Sequence, residues 1–134
     1  MRILLAFILA SGAQAETLVV KVNGVGSGGQ VVAGLFAESS GFGSFNMTKA
    51  AQVRKAPAAN GVVLRFEGLA PGRYAVAVFH DEDGNGKVKT NFIGIPREPV
   101  GVSNNTGGMP NHGKSLVNVP NAGQIEVNLR KIGG

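Results

Sequence analysis

Cysteine and tryptophan are absent from this chain, and one tyrosine stands among its 134 residues. Without cysteine there is no disulfide framework, no thiolate cage for a metal and no thiol nucleophile. Stability must come from an ordinary apolar core, which a chain of this length can build. Aromatic residues are sparse at 6%, and the basic residues are scattered singly rather than gathered into a stripe. A nucleic-acid binder would interleave aromatics with clustered Lys and Arg, so nucleic acid is excluded as a partner. The formal net charge of +5 reads instead as solubility with a weak attraction to anionic polymers. Long hydrophobic runs are also missing. The longest, Ile3 to Ala10, is about eight residues, far short of the roughly 20 that a membrane-spanning helix needs.

That short run has a specific context. "MRILLAFILASGAQA" carries one positive residue, an apolar stretch and small residues ending in Ala13-Gln14-Ala15. These are the three regions of a secretory signal peptide. Residues 1–15 are therefore expected to be cut off after Ala15, leaving residues 16–134 as one periplasmic or secreted domain with no membrane span.

Glycine is plentiful (21 residues) and falls between short apolar runs, as expected for strands separated by turns. Leu18, Val20 and Val22 share one face of "TLVVKVNG". Val62, Leu64 and Phe66 alternate in "GVVLRFEG", and Tyr74, Val76, Val78 and His80 in "RYAVAVFH". Val117 and Val119 follow, then Ile125, Val127 and Leu129. "GQVVAGLFAES" is apolar on both faces, the pattern of a strand covered on both sides. "MTKAAQVRKA" (residues 47–56) carries helix formers but only a thin apolar face, and a helical turn is preferred there over a seventh, edge strand. The whole predicts an all-β fold: an antiparallel two-sheet β-sandwich of prealbumin- or immunoglobulin-like type, with six to seven strands. Pro71–Gly72 fits the centre of a type II turn. Tyr74 beyond it fits a tyrosine corner, its hydroxyl returning to nearby backbone. "GVGSGG" (residues 24–29) lacks the lysine and helix of a phosphate loop and reads as a hairpin turn.

The stretch with most chemistry is "HDEDGNG", residues 80–86. Asp81, Asp83 and Asn85, followed by Gly86, match the first half of a calcium loop, in which oxygens at alternate positions converge on a hard cation. The second half departs from that pattern. Phe92 stands where a bidentate Glu belongs, Lys87 and Lys89 add positive charge, and a strand replaces the flanking helix. A polar turn capping its own backbone is the preferred reading. The alternative is a weak calcium site, on the order of 10⁻⁴–10⁻³ M. His80 is expected to hydrogen-bond at the strand end. With His112 it gives too few nitrogen ligands for zinc unless an Asp contributes. Ser103 and Ser115 lie in no nucleophile elbow, and no base can be paired with either.

Downstream, "TNFIGIPREPVGVSNN" shows little alternation. Ile93, Ile95 and Pro96 are expected to pin it to the sandwich. His80, Asn91, Asn104 and Asn105 are the ligand-binding candidates, because polar loop residues on a rigid scaffold are where binding concentrates. Self-capping of the backbone is the competing role for the amides.

From Phe66 to Asn105 the sequence "FEGLAPGRYAVAVFHDEDGNGKVKTNFIGIPREPVGVSNN" resembles a bacterial exported family catalogued as domain of unknown function 2141. The resemblance implies a small secreted or periplasmic β-sandwich with no established activity. The expected function is accordingly a non-enzymatic binding or accessory module of the cell envelope, monomeric, with no catalytic residue and no cofactor beyond weak calcium. Its partner is expected to be a small molecule, a glycan or an envelope protein. A calcium-dependent carbohydrate-binding module is the alternative, and a hydrolytic enzyme the second.

Overall fold

The structure, a computed structural model, describes residues 16–132. The expected signal peptide and its cleavage point lie outside these residues. Eight strands form two packed sheets: β1 (Glu16–Asn23), β2 (Gln30–Phe36), β3 (Gln52–Pro57), β4 (Val62–Leu69), β5 (Gly72–Asp81), β6 (Val100–Val102), β7 (Leu116–Val119) and β8 (Gln124–Asn128). One sheet runs β4-β1-β8 and the other β3-β2-β5-β6, with β7 also paired to β5. β2 takes one edge of β5 over Ala75–Asp81. β7 and β6 lie end to end along the opposite edge, at Gly72–Ala75 and Ala77–Phe79. The pairing is antiparallel except between β1 and β8, which run parallel. No helix among the described residues is long and apolar enough to cross a membrane.

The period-2 faces meet between the sheets. Leu18, Val20, Val22, Leu64, Phe66 and Val127 from the smaller sheet pack against Val31, Ala33, Leu35, Val76 and Val78 from the larger. β2 and β5 are apolar on both faces because their other side is buried too. Val32, Phe36, Ala75, Ala77 and Phe79 carry a second cluster there, covered by Phe42 and Phe45 from the loop after β2 and flanked by Val100 and Val102. Phe42 meets Phe36 edge-on at 5.5 Å between ring centroids. Each such side chain contributes on the order of 1.5–3 kcal/mol when fully buried.

Several expectations change. Residues 47–56 hold a single 3-10 turn at Met47–Lys49 and then the edge strand β3, not the preferred helical turn throughout. The thin apolar face of this stretch is what an edge strand with one wet side requires. β6 has only three residues, too few for alternation to register, so the count is eight strands rather than six or seven. "GVGSGG" is not a hairpin turn, because it carries the chain from β1 in one sheet to β2 in the other. Likewise Gly72 opens β5 in extended conformation. The left-handed glycine nearby is Gly68 (φ 71°), beside the register shift between β1 and β4. Glycine adopts that backbone without steric cost, and the bulge turns the chain out of β4 toward the other sheet. The tyrosine corner is present: the Tyr74 hydroxyl donates to the Ala70 carbonyl at 2.6 Å. Ile93 does not pin its segment. It is 65% exposed and Phe92 98%, whereas Pro96 is buried as expected, Ile95 is half-buried, and Glu98 is buried as well.

Candidate functional site

Asp81 ends β5 opposite Gln30 of β2 and is fully buried. Gln30 Nε2 and the Gly86 amide both donate to its Oδ2, each at 2.7 Å. Its other oxygen, Oδ1, is equally buried and has no hydrogen-bond partner. Burial pushes this carboxyl up. The hydrogen bonds from Gln30 and Gly86 outweigh it and hold the group below the usual aspartate range. Gly29 lets the β1–β2 connection lie directly against the Asp81 carbonyl. A Cβ there would collide with backbone, and its φ of 71° favours glycine.

Beyond Asp81 the loop winds on its own side chains. Asp83 Oδ1 accepts from the Asn85 amide at 3.3 Å, and Asn85 Oδ1 from the Lys87 amide at 2.9 Å. These are Asx turns of the kind the sequence predicts. Glu98 then enters from the far end of the loop, 1% exposed. Its Oε2 accepts from the Glu82 amide and its Oε1 from the Lys89 amide, both at 2.8 Å. One carboxylate thus clamps the outgoing and returning limbs together. Carboxylate oxygens of Asp81, Asp83 and Glu98 lie within 4.8 Å of one another. The only ion pair among the described residues is the exposed Arg65–Glu67 pair, so no lysine or arginine neutralises this cluster at close range. Lys55, whose ammonium lies beside Gly86, stays outside ion-pair distance.

The remaining candidates are placed as follows. Asn85 turns its side-chain oxygen to the Lys87 amide. His80 is 1% exposed, with Nε2 against the Gly28 carbonyl at 2.6 Å. Asn91 Oδ1 accepts from the amides of Ile93 and Ile95, both at 3.0 Å, and so shapes the turn. Asn104 donates to the carbonyls of Lys114 and Leu116. Asn105 donates to the Glu126 carbonyl and accepts from the Asn128 amide, fastening its loop to β8. The Ser103 hydroxyl accepts from the Val76 amide and donates to the Ser115 carbonyl. The Ser115 hydroxyl donates to the Asn111 carbonyl. His112 Nε2 faces the Phe36 carbonyl at 3.2 Å, its ring edge-on to Phe42. Every one of these side chains serves the backbone around it.

A second concavity was not foreseen from the sequence. Where β6 meets the strand end after β8, Val100 and Arg130 exchange two backbone hydrogen bonds of 2.9 Å that join the sheets. Beside this seam lies a cleft of about 220 Å³. Phe45, Val100, Val102 and Ile132 give it an apolar wall, and Asn105, Thr106 and Arg130 bring polar groups. Thr106 Oγ1 is buried there without a partner. The Arg130 guanidinium makes one long contact, 3.4 Å to the Gly108 carbonyl. Glu98, Thr106 and Arg130 are thus the residues that sequence reading passed over. The acids at 81–83 were a signal that a further buried acid would matter, but not of which one.

Neither the curated proteins nor the solved structures compared with the chain give a match. A family described as "Uncharacterized protein conserved in bacteria (DUF2141)" matches residues 20–128, a span that takes in the whole acidic loop and nearly all of both sheets. The chain belongs to this bacterial family.

Proposed function

We propose that this protein is a non-enzymatic binding module of the bacterial cell envelope, exported by its N-terminal segment, and that the cleft at the β6–β8 seam holds its ligand. The observation that carries the reading is an exposed Arg130 guanidinium, held by one long contact to the Gly108 carbonyl, beside an apolar wall of Phe45, Val100, Val102 and Ile132. The cleft is smaller than the roughly 300–1,000 Å³ of drug-sized sites. It therefore favours a compact ligand with a short apolar body and one anionic head, for which guanidinium is the suited partner. A glycan-binding reading draws no comparable support, because the amides of Asn91, Asn104 and Asn105 are engaged by backbone.

The test is an NMR titration of the labelled protein with hexanoate and, separately, glucuronate. Hexanoate should shift the amide signals of Val100–Val102, Thr106 and Arg130, and Arg130→Ala should abolish the shifts. That substitution should change stability by no more than about 0.5 kcal/mol, as is usual at exposed sites. Shifts scattered outside the cleft, or none with either compound, would remove it as the binding site. Export is tested separately, by fractionating cells that express the full chain. A periplasmic or secreted product beginning at Glu16 supports it, and retention of residues 1–15 in the cytoplasm overturns it.

A further inference from the structure

We infer that Asp81, Asp83 and Glu98 form a divalent-cation site, for calcium, at the end of β5. The site is independent of the cleft and includes a carboxylate, Glu98, from outside the sequence motif. Two observations combine. Oxygens of the three carboxylates lie within 4.8 Å of one another. Opposite ligands across a calcium ion stand about 4.6–5.2 Å apart, twice its usual 2.3–2.6 Å bond. Separately, Asp81 is fully buried, both its hydrogen bonds fall on Oδ2, and Oδ1 is left with no donor. A buried carboxylate is ordinarily paired or metal-bound, yet this one has no ion-pair partner among the described residues.

The donor chemistry selects the ion. The cluster offers only carboxylate oxygens, and neither ring nitrogen of His80 reaches it. Hard oxygen donors suit calcium or magnesium rather than zinc or copper. Calcium accepts irregular, partly hydrated geometry, whereas magnesium demands a near-ideal octahedron at about 2.0–2.1 Å. Each carboxylate oxygen has two lone pairs. Glu98 can therefore keep its bonds to the Glu82 and Lys89 amides while turning free lone pairs to the ion, and water completes the shell. Asp83 is exposed and supplies the outer side of the site. With Lys87 and Lys89 nearby, affinity belongs at the weak end, on the order of 10⁻⁴–10⁻³ M.

The experiment follows thermal unfolding of the purified chain in calcium, in magnesium and in EDTA, with calorimetric titration of calcium alone. Calcium at about 100 times its Kd should multiply the folded-to-unfolded ratio roughly 100-fold, and EDTA should reverse the gain. Magnesium at equal concentration should do markedly less. Asp83→Asn keeps the oxygen that caps Asn85, so it should fold as before in EDTA and need several-fold more calcium for the same stabilisation. Asn85→Ala should leave the calcium response intact. No shift at about 10 mM calcium, ten times the weak limit, would overturn the site. An equal response to magnesium would overturn the calcium assignment, and an undiminished response in Asp83→Asn would overturn the ligand set.

Discussion

The two ends of β5 solve the same problem in opposite ways. At its start the chain arrives from the other sheet, and Tyr74 secures the corner by donating to Ala70 four residues back. Donor and acceptor are matched, and nothing is left over. At its finish Asp81 is buried with one oxygen taking two hydrogen bonds and the other none, and Glu98 returns from far along the loop to hold the amides of Glu82 and Lys89. The first end is closed by the protein alone. The second gathers more negative charge than its own backbone needs, and an excess of acceptors calls for a partner carrying positive charge. Architecture and site can share a strand because different residues terminate it.

The sharpest way to break this contrast is Glu98→Ala. It strands the amides of Glu82 and Lys89, and hydrogen bonds to a buried charge are strong, so unfolding in urea should show a loss on the order of 3 kcal/mol. Calcium should no longer restore stability. A loss no larger than that from Tyr74→Phe would mean that both corners are equally structural. Tyr74→Phe itself should cost about 1 kcal/mol, the usual value for one neutral hydrogen bond, and the deficit should be identical in calcium and EDTA. The smallest effect on stability belongs to Asp81→Asn. The amide retains an oxygen for Gln30 and Gly86; losing a charge that these bonds favour is offset by relieving three crowded carboxylates, so in EDTA the change should stay at about 0.5 kcal/mol. The same variant should lose its response to calcium. If Asp81→Asn instead unfolds the protein, Asp81 belongs with Tyr74 as a structural residue.

What the sequence made legible follows the distance over which each feature closes. Alternation in Leu18, Val20 and Val22, or in Ile125, Val127 and Leu129, is a property of neighbours, and those faces are the ones that turn inward. The tyrosine corner closes over four residues and could be read for the same reason. The motif Asp81-x-Asp83-x-Asn85 drew attention to the loop but not to Glu98, whose carboxylate lies with those of Asp81 and Asp83. Asn85 is consumed by a local Asx turn, whereas Glu98 sits in a segment without periodicity and reaches the loop only through folding. The glycines of residues 24–29 marked a change of direction and could not say which sheet the next strand would join. β6, three residues long, left no pattern. Thr106 and Arg130 meet only where the two sheets are joined, which no local rule anticipates.

The parallel pairing of β1 with β8 carries a kinetic consequence. Asn23 and Asn128 stand side by side although 105 residues separate them along the chain. β1 is the middle strand of its sheet, so that sheet cannot be completed until the strand near the opposite end has been delivered. Closing so long a loop is entropically costly before any contact rewards it, which places folding toward the slow end for domains of this size. The seam at Val100 and Arg130 lies just past β8, so the cleft takes shape only with that last delivery. An all-β chain of this design ripens late, and a formed cleft at the seam reports that the whole sandwich has assembled.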